Sequence, residues 1–109
     1  MEHLMATTAF SFDGYTITKN LGLVRGIVVR SRSVFATLGG KLQTIFGGNI
    51  TMFTDLCEKT REESFEMMTG HAVALGANAV IGIRYDATEL FQGVSEVLCY
   101  GTAVYVEKI

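Results

Sequence analysis

The sequence has no proline and no tryptophan, two cysteines, two histidines, and charged residues at only 18% of its 109 positions. Each shortage excludes something. With 49% hydrophobic residues and so few charges, the chain is the opposite of a disordered composition and is expected to fold throughout. The nine Lys and Arg are scattered and outnumbered by eleven Asp and Glu, for a formal charge of −2. No basic tract is available to neutralise a row of phosphates, so nucleic acid is not expected as a principal partner. No stretch approaches the roughly 18 to 20 apolar residues of a spanning helix, and Met1-Glu2-His3-Leu4-Met5 lacks the basic-then-apolar run of a secretion signal. We therefore expect no membrane attachment and a cytoplasmic location. Cys57 and Cys99 are too few for a disulfide framework, and in a reducing compartment both are expected to be free thiols.

The length suits one domain over residues 1–109, long enough to bury a core and too short to divide. Thr8 to Phe12 and Tyr15 to Thr18 flank Asp13-Gly14, a dipeptide suited to a tight turn, which predicts an N-terminal hairpin. Leu21 to Arg30 is rich in β-branched residues at both parities, the mark of a strand buried on two sides. Val34 to Phe46 has apolar residues at helical spacing interrupted by Gly39-Gly40 and ended by Gly47-Gly48, which predicts a broken helix. Thr51 is placed to cap a long helix running to about Leu75, with an inward stripe of Phe53, Leu56, Cys57, Thr60, Ser64, Met67, Met68, His71 and Leu75. Gly76 suits the left-handed residue that stops it. Ala79 to Tyr85 and Val97 to Val106 read as two further strands joined by a loop over Ala87 to Ser95.

A sheet of these strands is apolar on both faces, and one long helix covers only one of them. A second subunit is the simplest lid for the other, since each large aliphatic side chain it covers contributes about 1.5 to 3 kcal/mol. The alternative is that Val34 to Phe46 folds over that face and leaves a monomer.

The segments Asn20-Leu21-Gly22-Leu23-Val24-Arg25-Gly26, Gly47-Gly48, Leu75-Gly76-Ala77-Asn78-Ala79-Val80-Ile81-Gly82-Ile83-Arg84-Tyr85-Asp86 and Gly101-Thr102-Ala103-Val104 resemble, in order and spacing, the YbjQ-like family of domains that carry a heavy-metal-binding label. The resemblance spans nearly the whole chain. It implies an α+β fold: a β-α-β-β subunit with an extra N-terminal hairpin, one long helix packed on a mostly antiparallel sheet, and assembly into a ring-shaped homopentamer. It also implies structural roles for Gly22, Gly47, Gly48, Gly76, Asn78, Gly82, Gly101 and Thr102. It brings no catalytic residues to carry over.

The candidate metal donors are Cys57, His71 and Cys99, since sulfur and imidazole suit divalent or thiophilic ions. Fourteen residues separate Cys57 from His71, about 21 Å along one straight helix, so those two cannot share an ion within a subunit. Core packing is the simpler role for both cysteines. Glu58, Glu62 and Glu66 form an acidic row that reads as a solvated helix face. Arg25 and Arg84 interrupt apolar strands and need partners, for which Asp86, Glu96 or Glu107 of the same or a neighbouring subunit are available. The leading reading is a homo-oligomeric binding or scaffold protein, metal being its leading ligand. The alternative is a small cysteine-dependent hydrolase or redox protein. That alternative requires an accessible thiol of lowered pKa that alkylates rapidly in the folded protein; labelling that waits for denaturant excludes it.

Overall fold

The computed structural model describes residues 4–31, 50–91 and 94–109. In chain order the elements are β1 (Met5–Ala6), β2 (Tyr15–Ser31), α1 (Ile50–Ala74), β3 (Ala79–Phe91) and β4 (Val94–Lys108). They form a four-stranded mixed sheet in the order β1-β3-β4-β2 with the helix packed across it. Strand β4 is antiparallel to both β2 and β3, and β1 pairs parallel with β3 through Met5↔Ala79 and Ala6↔Val80. The α+β fold with one long helix on a mostly antiparallel sheet is as the sequence implies.

Small side chains bring the helix close to the sheet. Thr60, Ser64, Met68 and Ala72, spaced four apart, are buried, with Leu56 half-buried at the same spacing. The hydroxyls of Thr60 and Ser64 donate to the Leu56 and Arg61 carbonyls at 2.9 and 2.8 Å, so neither group is buried unpaired. Opposite them lies Gly26, where a Cβ would run into the Ser64 carbonyl oxygen and come within 2.7 Å of the Met68 amide nitrogen. Val24, Val80, Ile83, Cys99 and Ala103 complete this core layer. A Schellman motif ends the helix: Gly76, at φ 87°, donates to Val73 O at 2.9 Å and Ala77 donates to Ala72 O at 3.0 Å.

Among the described residues, the second face is covered at one end. Ala79, Ile81, Val104 and Val106 pack beneath Met5, Phe12 and Tyr15. The amides of Ile83 and Gly82 donate to Thr7 O and Ala9 O, at 3.1 and 2.8 Å, so the N-terminal segment follows the upper edge of β3. Asn78 ties this end together: its side chain donates to Val106 O and accepts from Val106 N–H, both at 2.8 Å.

Several expectations need correction. The turn at Asp13-Gly14 exists, with Gly14 at φ 80° and Tyr15 N–H donating to Phe12 O, but Thr8 to Phe12 does not form a hairpin strand with Tyr15 to Thr18. Tyr15 to Ile17 pairs instead with Val106 to Lys108, because β4 offers a longer apolar partner and leaves Phe12 to cover the core. The expected loop over Ala87 to Ser95 is largely strand, with Ala87↔Val97, Thr88↔Glu96 and Glu89↔Ser95 in register. Thr51 lies inside the helix rather than capping it. On the predicted stripe, Cys57, Met67, His71 and Leu75 are exposed, because the helix turns its small residues to the sheet. Among the glycines of the resemblance, Gly22 and Gly82 accompany the register shifts of β2 and β3, Gly101 is buried, and Thr102 lies between Ile81 and Leu23. Gly47, Gly48 and the helical expectation for Val34 to Phe46 lie outside the described residues.

Replacing Gly26 with Ala is expected to cost about 3 kcal/mol or more in urea unfolding, because the obstructing atoms belong to the helix backbone. Asn78→Ala should cost about 2 kcal/mol through the loss of two hydrogen bonds. A Gly26→Ala protein as stable as the parent would show that the helix can lift without penalty.

Candidate functional site

The proposed metal donors are not brought together. Cys57 is exposed on α1, whereas Cys99 is fully buried on β4, its thiol 3.6 Å from the Met68 sulfur. His71 is exposed near the other end of the helix and borders a hollow of about 350 Å³ with Leu23, Val24, Arg25, Ala74 and Leu75. Among the described residues no three His, Cys, Asp or Glu side chains converge on a point that could hold an ion. These residues therefore do not fit a metal within one subunit. The expectation that both cysteines pack in the core holds for Cys99 and fails for Cys57, which follows the inward-facing Leu56 and is turned about 100° away from it.

Burial pushes the Cys99 thiol up from its ordinary pKa, against an opposing hydrogen bond from Tyr85. That is the reverse of what an activated nucleophile requires. Burial also raises the Tyr85 phenol, helped by Cys99, which lies directly opposite it across the β3–β4 ladder.

The four ion-pair candidates share one face of the sheet, the face away from the helix. Arg25 lies opposite Tyr100, which lies opposite Arg84, and the next row is Ile27, Leu98 and Asp86. Glu96 follows, between Val29 and Thr88. Arg84 finds its partners within the chain: its guanidinium donates to Thr8 O at 2.9 Å and Ile83 O at 2.8 Å and lies 5.6 Å from the Phe10 ring centre. Arg25 is exposed and, among the described residues, has no ion pair. Glu107 lies opposite Thr16, near the far end of β4. Sequence reasoning missed the ion pair between Arg30 and Glu63, which ties the end of β2 to α1. Its signal was faint, because Glu63 stands beside the more regular row of Glu58, Glu62 and Glu66.

Two further hollows open on the β3 side of the helix. One, of about 450 Å³, is lined by Glu58, Arg61, Glu62, Phe65 and Tyr85, with the Arg61 guanidinium 5.8 Å from the Tyr85 ring centre. The other, of about 210 Å³, has Ala87 and Val97 among its walls and Arg30, Cys57, Thr60, Arg61 and Ser95 around them. Both hollows put charged side chains on display, and the first adds aromatic area.

A single helix laid across a mixed sheet, with surface hollows on both flanks, defines a small α+β domain. The chain belongs to the YbjQ family, whose model, described as "Putative heavy-metal-binding", matches residues 4–107. It is 62% identical over 104 residues to a UPF0145 protein of Solibacter usitatus, covering 95% of this chain and 93% of that one. It is 56% identical over 108 residues to a UPF0145 protein of Paraburkholderia phymatum, covering 99% and 97%. A UPF0145 protein of Chromobacterium violaceum is 59% identical over 105 residues, covering 96% and 90%. None of these three names is enzymatic. A crystal structure of a protein of unknown function from Pediococcus pentosaceus, of the DUF74 family, superposes with a TM-score of 0.62 at 17% identity, covering 95% of this chain and 98% of that one. At that identity the likeness is one of fold. Among the described residues no helix is long and apolar enough to cross a membrane.

In the folded protein an alkylating reagent should label Cys57 promptly and Cys99 only after denaturation. Because the folded thiol of Cys99 holds its proton more tightly than the unfolded one, the stability it contributes is full below about pH 8.5 and falls as pH rises above that value. The decline, measured by chemical denaturation with pH, should lessen in Cys99→Ala.

Proposed function

We propose that this chain is the subunit of a cytoplasmic homo-oligomeric binding or scaffold protein, five copies closing into a ring, with its function at the contacts between subunits. The observation that carries the reading is the exposure of the edge strand β2: Leu23, Ile27 and Val29 are 68%, 40% and 50% exposed on one face. Covering each contributes up to about 1.5 to 3 kcal/mol, which repeated around a ring competes with the entropy cost of association. The subunit's elongation points the same way. Its radius of gyration is 17.3 Å, against about 13 Å for a compact domain of this length.

The metal in the family's description finds no three-donor site among the described residues of one subunit, so a metal-loaded assembly needs donors from neighbouring subunits, with Cys57 and His71 the exposed candidates. A cysteine-dependent enzyme would have to rely on Cys57, the thiol open to solvent.

Native mass spectrometry of protein purified without added metal or chelator tests the reading. A pentamer carrying a stoichiometric extra mass supports a binding ring, a bare pentamer supports a scaffold, and a monomer overturns both. Leu23→Lys combined with Ile27→Lys should shift the assembly toward monomer while leaving the circular dichroism of α1 intact.

A further inference from the structure

The two hollows on the β3 side of the helix are neighbours, and one residue belongs to both. Arg61 stands between them: it lines the hollow of about 450 Å³ that holds Glu58, Glu62, Phe65 and Tyr85, and it lines the hollow of about 210 Å³ that holds Ala87 and Val97. On the sheet side the passage from one to the other is Tyr85 to Ala87, two residues along β3 and about 6.6 Å. On the helix side the walls are the adjacent lines Cys57-Arg61 and Glu58-Glu62, each with one turn between its members. The pair forms one groove between α1 and the sheet.

Charge is separated along this groove. At the narrow end Arg30, held by its ion pair with Glu63, joins Arg61 to give two guanidiniums beside Ser95. At the wide end Glu58 and Glu62 give two carboxylates beside the Phe65 and Tyr85 rings. Among the described residues neither of those carboxylates is in an ion pair, and like charges one turn apart repel, so a cation seated between them relieves the repulsion. The Tyr85 ring already carries one cation, the Arg61 guanidinium 5.8 Å from its centre. A matching ligand therefore has an anion and a cation roughly 6 to 7 Å apart. A free amino acid holds its two charges within about 3 Å, and one further extended residue adds about 3.3 to 3.6 Å, which is the length of a dipeptide. The two volumes also give the ligand a direction: a bulky N-terminal side chain fits beside the aromatic rings, and a small C-terminal one fits over Ala87 and Val97.

We propose that the joined hollows are a recognition groove for a short free peptide, a dipeptide bulky at its N-terminal residue and small at its C-terminal one, with its ammonium between Glu58 and Glu62 and its carboxylate between Arg30 and Arg61. The groove is built within one subunit and needs no assembly, so it adds a ligand to the reading above without depending on it. Each end of the peptide makes charge-assisted contacts, and the unlike ends exclude the reversed orientation. Cys57, exposed on the wall of the narrow hollow, reports whether the groove is filled.

Phenylalanylalanine is the probe, and the rate at which an alkylating reagent modifies Cys57 in the full-length protein is the measurement. Millimolar peptide should slow that rate at least fivefold and saturably. The N-acetylated and C-amidated peptides should each bind at least tenfold more weakly, because each lacks one charge, and alanylphenylalanine should also bind more weakly than the probe. Glu58→Gln combined with Glu62→Gln should weaken the free peptide at least tenfold while binding the N-acetylated form no worse than the parent protein does. A general loosening of the fold would weaken both peptides alike; both positions are exposed, and circular dichroism checks that the helix is intact. If the probe leaves the parent's Cys57 rate unchanged, or if acetylation and amidation cost nothing, the groove assignment is overturned. Subunit number is measured separately by native mass spectrometry, so a monomer that is protected by the peptide overturns the assembly and leaves the groove standing.

Discussion

Helix α1 meets strand β2 so closely at Gly26 that there is no room for a methyl group, the Ser64 carbonyl and the Met68 amide lying where one would be. That approach sets the rotation of the helix. Thr60, Ser64 and Ala72 face inward because only small or internally bonded side chains fit at that separation, and Met68 reaches past them to Cys99. Once those residues face in, Cys57, His71 and the row Glu58, Glu62 and Glu66 must face outward or sideways. The chemistry displayed on the surface is thus a consequence of the packing beneath it.

Strand β4 provides the second constraint. Paired along both sides, it transmits register from β2 to β3, so Arg25, Tyr100 and Arg84 stand in one row and Ile27, Leu98 and Asp86 in the next. Asn78 anchors the end of this ladder by bonding both backbone groups of Val106. The N-terminal segment then closes one end of the second face and engages Arg84, leaving the Arg25 side of β2 exposed. The two flanks of the chain are therefore unlike.

The family's metal description and the positions of the donors pull in different directions within one chain. Cys99 is buried with its thiol held protonated, and Cys57 and His71 are separated along an exposed helix. What the described residues present to solvent is apolar edge, guanidinium and carboxylate. The proposed self-assembly would reconcile the two by placing donors or charges of one copy beside those of the next.

The α+β class, the strand at Leu21 to Arg30, the long helix and its stop at Gly76 were legible in the sequence because each rests on local chemistry: β-branched runs, helical spacing, and a glycine where a left-handed residue is required. The family was legible from the Asn20 to Gly26 and Leu75 to Asp86 segments. The fate of Thr8 to Phe12 was not, since a turn at Asp13-Gly14 specifies a reversal but not the strand on the other side of it. Nor was the strand over Ala87 to Phe91, which depends on pairing with Val94 to Val97 more than on its own residues. The sequence by itself determined the long helix with its stop at Gly76, the strand over Leu21 to Arg30, and apolar residues on both faces of the strands. The tertiary structure alone decided which helical residues face the sheet and which flank each charge occupies, because a stripe with apolar residues on several adjacent lines leaves the rotation undetermined until Gly26 admits the helix at one angle.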